Sequence, residues 1–165
     1  MTLDRLLTIE PYDWPSIGAA IFCGSIIGLE RQFRGKPVGV RTASLITLGT
    51  YLFLATSFML KGDVMDPSRV VGQVITGIGF LGAGVMLAKD GAVVGVTSAA
   101  TIWVLAAIGV MIASGYLLVA IKISILVVLI LYGVDLLEER TKTFSRGVHA
   151  RVKKLSTYKK SGWRD

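Results

Sequence analysis

The chain has few of the residues from which disulfides, metal sites and catalytic sites are usually built. It contains one cysteine, Cys23, and one histidine, His149, among its 165 residues. A single cysteine cannot form an intramolecular disulfide, and one cysteine with one histidine cannot make a zinc-type ligand cluster. The GxxxxGK[ST], HExxH and GxSxG patterns are also absent. We therefore expect no metal site, no cofactor and no enzymatic activity.

Charge is missing from long stretches of the sequence. Hydrophobic residues make up 53% of the chain and the mean hydropathy is +0.66, too apolar for an ordinary soluble domain. Apolar runs repeatedly approach the length of about 20 residues that crosses a bilayer as a helix. We predict an all-α integral membrane protein, a compact bundle of five transmembrane helices. The predicted spans are about 15–29, 42–60, 70–87, 96–113 and 116–137.

Only Ser114 and Gly115 separate the last two predicted spans. So short a connection favours an antiparallel hairpin of two helices, although one long kinked helix is the alternative. With five spans, 14 of the 18 lysines and arginines fall on one side, which the positive-inside rule makes cytoplasmic. We predict a short outer interfacial segment at 1–14, a membrane domain at 15–139 and a basic cytoplasmic tail at 140–165. This tail is expected to contact anionic lipid and not nucleic acid.

The third span, 70–87, has no charge before its end and holds five glycines. Each glycine costs about 1 kcal/mol in a water-soluble helix relative to alanine, whereas in lipid small residues let helices approach closely. Its bulky residues share one arc, with small residues on both flanks. We predict that the arc meets lipid, that the flanks pack on other helices, and that this span is the centre of the bundle. The predicted helix-packing glycines are Gly24, Gly28, Gly72, Gly77, Gly79, Gly82, Gly84 and Gly109.

Two charged or polar pairs flank the connection between spans one and two. Glu30 and Arg31 end the first span, and Arg41 and Thr42 start the second. One interpretation is an ion-paired cluster that lines a cytoplasmic cavity or a partner site. The other is a positive-inside anchor, in which Glu30 only neutralises a neighbouring charge.

The third and fourth spans begin with residues suited to helix caps. Asp66 precedes a proline, which is typical of an N-cap followed by the first helical position. Arg69 lies one turn later, so a cap and an ion pair explain both residues, and a ligand site is the alternative. Thr97 or Ser98 is expected to cap the fourth span.

Few polar residues lie inside the spans. Gln73 and Thr76, with Thr47 and Thr101, could line a polar path, and hydrogen bonds between helices explain them equally well. Lys122 is the one charge within the fifth apolar run. Such residues are functional candidates, but a lysine stem also reaches outward to the membrane interface.

Several motifs together resemble the MgtC/SapB family of bacterial membrane proteins. The opening signature is GLERQ at 28–32 and GKPVGVRT at 35–42; the central one is DPSR at 66–69 and GIGFLGAG at 77–84; the third is GVTSAATIW at 95–103. The chain is similar to the short members that lack a C-terminal ACT-like domain. The polar signature positions carried over are Glu30, Arg31, Arg41, Thr42, Asp66, Arg69, Gln73 and Thr97.

The resemblance implies a multi-pass inner-membrane protein of bacteria, linked to low-magnesium or stress adaptation and to virulence. It implies a regulator that binds other membrane proteins, the membrane part of ATP synthase among them, through its glycine-rich faces. The alternative is a transporter or channel component for Mg²⁺ or another ion, with Asp66 and Glu30 bracketing a path. We also expect a homodimer, which crosslinking through Cys23 or introduced cysteines would test.

Overall fold

The computed structural model describes residues 9–10, 12–60, 66–89 and 92–140. Its helices are α1 (Trp14–Phe33), α2 (Val40–Met59), α3 (Pro67–Gly84), α4 (Val96–Ala113) and α5 (Leu117–Arg140). Between α3 and α4 lies an antiparallel hairpin of β1 (Leu87–Lys89) and β2 (Ala92–Val94). The predicted helical class is confirmed, and each predicted span overlaps one helix.

Three of the described helical segments are long and apolar enough to cross a membrane. They are Val40–Met59, Val96–Ala113 and Leu117–Val134. Most of the predicted outer segment, residues 1–8 and 11, lies outside the described residues, and so does the predicted tail after residue 140.

The core forms where α1, α2 and α4 meet. α1 packs most extensively on α2, and α2 packs also on α4. α5 rests on α1 and α4 at one edge of the bundle, while α3 rests on α4 and α2 at the other. Only 11% of the apolar segment of α5 is buried, as expected for a helix at the edge. The most deeply buried apolar side chains are Ala20, Cys23, Ile27, Ala43, Leu54, Ile102, Leu105, Ile108, Ile112 and Ala120.

Glycines bring the backbones of the three central helices into contact. A Cβ atom on Gly24 would lie 2.6 Å from Ser44 Cα, and one on Gly28 would lie equally close to the start of α2. A Cβ atom on Gly109 of α4 would lie 2.6 Å from the carbonyl oxygen of Thr47. No real side chain tolerates such distances, so these three positions hold the helices closer together than any other residue allows.

Polar contacts join the start of α1 to the end of α2. An Asp13 carboxylate oxygen accepts the Ser16 N–H at 2.8 Å and so caps α1. Its other oxygen accepts the Tyr51 hydroxyl at 3.4 Å, and the Tyr12 and Thr56 hydroxyls lie 2.7 Å apart. These bonds satisfy polar groups at the helix ends and fix the register of α1 against α2.

The predicted central position of the glycine-rich span is wrong, because α3 lies at an edge and presents the opposite face. Its bulky arc packs inward: Ile78 is 8% exposed, and Val74 and Val85 pack against the core. A bulky arc buries more apolar area against α2 and α4 than a small-residue face would.

Most glycines of α3 consequently make no contact with the other helices. Among the described residues, no atom lies within 4 Å of a Cβ atom built on Gly72, Gly77, Gly79 or Gly84. Gly82 alone lies against a neighbour, with such a Cβ atom 3.7 Å from that of Ala99. Four of the predicted packing glycines therefore pack on nothing within the described part of this chain.

The junction between α3 and α4 differs from the prediction. The helix ends at Gly84 and the chain continues into the β1–β2 hairpin, in which Leu87 pairs with Val94. Gly95 has a φ of 91° and serves as the N-cap of α4 without a side-chain hydrogen bond. The predicted cap at Thr97 or Ser98 is therefore wrong, since the helix has already begun at Val96.

The fourth and fifth spans are two helices and not one kinked helix. Gly115 has a φ of 86°, a left-handed conformation that ends α4 and reverses the chain. The Tyr116 N–H donates back to the Met111 carbonyl at 3.0 Å, which completes the turn before α5 begins.

Replacing a contact glycine of α1 or α4 by alanine is expected to destabilise the bundle. Gly24→Ala and Gly109→Ala each place a methyl group against a neighbouring backbone, an overpacking that costs about 1–3 kcal/mol. Thermal unfolding in detergent micelles measures the loss. Gly18→Ala is the control, because Gly18 lies in α1 with nothing within 4 Å. Equal melting temperatures for the three variants would contradict the close approach.

Candidate functional site

The buried side of α1 ends in charged residues. Ala20, Cys23 and Ile27 form a fully buried stripe, and Glu30 and Arg31 continue it one turn later. Glu30 is 8% exposed and Arg31 only 2%. A positive-inside anchor needs only a solvated charge, so this degree of burial favours a more specific role for the pair.

Glu30, Arg31, Arg34 and Tyr132 form a group that we call the inner charge cluster. Arg31 Nε lies 3.2 Å from Glu30 Oε2, and Arg34 Nε lies 3.6 Å from Glu30 Oε1. The Arg34 guanidinium lies 5.0 Å from the centre of the Tyr132 ring, a cation–π contact that ties α1 to α5. One carboxylate thus serves two guanidinium groups, which leaves the three side chains with a net positive charge.

The inner charge cluster is incompletely hydrogen-bonded. Both Glu30 carboxylate oxygens and the Nε and Nη1 atoms of Arg31 are buried without a hydrogen bond of good geometry. Buried charges of this kind cost stability unless they are compensated, and retained ones often mark function. Arg34 and Tyr132 were not predicted. The i,i+4 spacing of Glu30 and Arg34 was an available signal, whereas nothing local marked Tyr132.

Arg41 and Thr42 do not join this cluster. Both are exposed in the first turn of α2. Gly39 is the N-cap of α2 and makes no side-chain cap hydrogen bond, and the Val40 N–H donates to Gln32 Oε1 at 3.3 Å. Two of the four predicted signature residues at this end therefore lie apart from Glu30 and Arg31.

The start of α3 carries the predicted cap. One Asp66 oxygen accepts the Ser68 N–H at 2.9 Å and the other accepts the Ser68 hydroxyl at 2.7 Å. These bonds, with a smaller contribution from Arg69, hold the pKa of Asp66 below its usual value of 3.8. The predicted ion pair with Arg69 is absent, since the salt bridges among the described residues all involve Glu30.

The threonines do not assemble into a polar path. The hydroxyls of Thr47, Thr76 and Thr101 each donate to the carbonyl four residues earlier in their own helix, at 2.8–3.1 Å. Thr97 is exposed in the first turn of α4, where its carbonyl accepts the Thr101 bond. Lys122 is exposed on α5. These hydroxyls are satisfied locally, so neither a path nor hydrogen bonds between helices is needed to explain them.

An open groove of about 600 Å³ separates α2 from α3, and we call it the α2–α3 groove. Its walls are mostly apolar, with Thr42, Thr50 and Gln73 as the polar exceptions. From α2 it is lined by Thr42, Leu45, Ile46, Gly49, Thr50 and Phe53, and from α3 by Val70, Gln73, Val74, Gly77, Ile78 and Leu81. Gln73 is thus placed in the groove and not in the packed core.

The sequence profile of the MgtC family matches residues 17–140. The chain is 48% identical over 120 residues to the "Putative magnesium transporter YhiD" of Escherichia coli K12, covering 68% of this chain and 55% of that protein. It is 41% identical over 99 residues to "Protein MgtC" of Brucella abortus, covering 60% and 41% of the two chains. With "Protein MgtC" of Salmonella typhimurium the identity is 38% over 109 residues, covering 66% and 46%.

The chain spans about half the length of the curated relatives it matches. No solved structure matches it.

Replacing Glu30 by glutamine is expected to cost about 3–5 kcal/mol of stability, because it leaves the buried Arg31 charge without a counterion. The double variant Glu30→Gln/Arg31→Gln should recover part of that loss, since it removes both buried charges. Thermal or denaturant unfolding in detergent micelles measures the three values. Lys36→Gln, at an exposed residue after the same helix, is the control and should change little. Additive losses in the double variant would show that the buried pair does not interact.

Proposed function

Because the chain belongs to the MgtC family, we propose that it is a bacterial inner-membrane regulatory protein that acts by binding other membrane proteins. The family and the names of its relatives support a magnesium-related membrane protein. We connect its role to adaptation to low magnesium or to other stress. The observation that carries the proposal is the exposed small-residue face of α3.

The proposed topology has five transmembrane helices, with the N-terminus outside and the C-terminus in the cytoplasm. In this arrangement the α1–α2 connection, the β1–β2 hairpin and the basic tail share the cytoplasmic side. The excess of lysine and arginine in these three regions supports that orientation. Lys122 then lies in the fifth helix, exposed, with a stem long enough to carry its charge toward the interface.

The outer face of α3 consists of the residues that point away from α2 and α4. All of its members are exposed, and Phe80, at 81% exposure, is the one large side chain among them. The face comprises Gly72, Thr76, Gly79, Phe80 and Ala83. Small residues let a second helix approach within backbone contact, and in lipid such faces are typical of helix–helix interfaces. A partner helix would therefore gain close packing that lipid chains cannot supply.

Two kinds of partner follow for this face. The family resemblance makes the membrane part of ATP synthase a first candidate, and a second copy of the chain is another. Crosslinking through the native cysteine cannot decide between them, because Cys23 is fully buried. A cysteine introduced at Gly79 in a Cys23→Ala background places the reactive thiol on the outer face instead.

A transporter or channel component remains the second candidate function, because one relative carries the name of a magnesium transporter. In this alternative Glu30 and Asp66 mark the two ends of an ion path through the bundle. The polar groups nearest such a path are Gln73 and Thr76, of which the second donates to its own helix.

Substitution of Gly79 by leucine is expected to abolish co-purification of a membrane partner, since the larger side chain prevents close helix approach. The measurement is affinity purification of the full chain from membranes after crosslinking, followed by mass spectrometry. Gly18→Leu is the matched control, because Gly18 is equally open but lies on α1. A partner retained by Gly79→Leu and lost by Gly18→Leu would exclude the outer face of α3.

Liposomes that contain the purified full chain are expected to pass no more Mg²⁺ or monovalent ion than protein-free liposomes. A fluorescent indicator trapped inside the vesicles measures entry after an ion gradient is applied. Robust flux that Asp66→Ala or Glu30→Gln abolishes would replace the regulatory proposal by the transporter alternative.

A further inference from the structure

The α2–α3 groove is long, narrow and lined mostly by apolar side chains, as a site for a hydrocarbon chain would be. It follows α2 from Thr42 to Phe53 and α3 from Leu81 to Val70, a length of about 16 Å at 1.5 Å per residue. The groove offers about 600 Å³, a volume in the range of ligand pockets in proteins.

The walls of the groove suit an acyl chain. Gly49 on α2 and Gly77 on α3 both line it, and nothing lies within 4 Å of a Cβ atom built on either. The two glycines leave the space open where leucines would close it. Leu45, Phe53 and Leu81 supply the apolar surface along its length, with which a hydrocarbon chain makes favourable dispersion contacts.

The two ends of the groove differ in charge. At the Thr42 end lie exposed Arg41 and the first turn of α2, in which the Arg41 and Thr42 N–H groups have no helical acceptor. At the other end lies the start of α3, where Asp66 and Arg69 carry opposite charges that offset each other. An anionic group is therefore favoured at the Thr42 end, where the Arg41 guanidinium donates charge-assisted hydrogen bonds.

We propose that the α2–α3 groove binds one acyl chain of an anionic phospholipid, with the headgroup phosphate at Arg41. This site is separate from the outer face of α3, so it goes beyond the regulatory function proposed above. The phosphate accepts hydrogen bonds from the Arg41 guanidinium and from the backbone N–H groups of Arg41 and Thr42, and the chain extends between α2 and α3. Arg41 and Thr42, which are not part of the inner charge cluster, then bind the lipid headgroup.

Photo-crosslinking of the full chain tests the acyl chain site. The protein is reconstituted in vesicles of phosphatidylethanolamine and phosphatidylglycerol that contain a trace of phosphatidylglycerol with a diazirine on one acyl chain. We expect the label to concentrate on α2 and α3 groove peptides, and Gly49→Leu to lower it several-fold by filling the groove. Gly72→Leu, an equally open glycine outside the groove, is the matched control and should retain the label.

The headgroup contact is tested in the same vesicles. Arg41→Gln should reduce the preference for phosphatidylglycerol over phosphatidylethanolamine several-fold, and Arg69→Gln, at the other end of the groove, should leave it unchanged. Label spread evenly over α5 and the groove, or full labelling of Gly49→Leu, would overturn the proposal. So would crosslinks from the groove to a second protein chain. If Gly79→Leu loses the membrane partner but is labelled normally by the lipid, the lipid site and the partner-binding face act independently.

Discussion

The backbone contact of α1 and α4 with α2 is the constraint on which the rest of the structure depends. Gly24 and Gly28 meet the first turns of α2, and Gly109 meets α2 further along, at Thr47 and Thr50. Because these three helices touch, the buried stripe of α1 is closed off from the membrane, and its charged end is enclosed with it. α3 and α5 are then added at the two edges, with most of their surface unpacked.

The sequence predicted the positions of the helices well, and the way in which they pack on one another less well. The positions of the helices, the small residues of α1 and the cap at Asp66 depend on local chemistry, and all three were confirmed. The orientation of α3 was predicted wrongly. Its sequence shows which face is bulky and which is small, but it does not show which of the two faces contacts the other helices. In water the apolar face turns inward, but in a bilayer both surroundings are apolar, so the pattern alone does not decide. The face that turns inward is the one that buries more apolar area against α2 and α4.

The inner charge cluster, too, could be predicted only in part from the sequence. The sequence marked Glu30 and Arg31 but could not show that both are buried, since burial depends on how the helices pack. Tyr132 is about a hundred positions away in the chain and reaches Arg34 only through the packing of α1 on α5. Arg41 and Thr42 follow Glu30 closely in sequence, yet the turn between the helices sends them to a different surface. Because the four residues are close in sequence, they suggested one cluster, whereas the fold places Arg41 and Thr42 apart from Glu30 and Arg31.

The turn at Gly115 also has a consequence for how the protein is made. Three residues connect α4 to α5, so the facing ends of these helices cannot separate by more than about 14 Å. Both helices are long and apolar enough to cross the membrane. The two helices therefore reach the membrane as close neighbours during synthesis, which favours their insertion as one hairpin. The connections from α1 to α2 and from α2 to α3 are longer, at six and seven residues, and tie those helices less tightly.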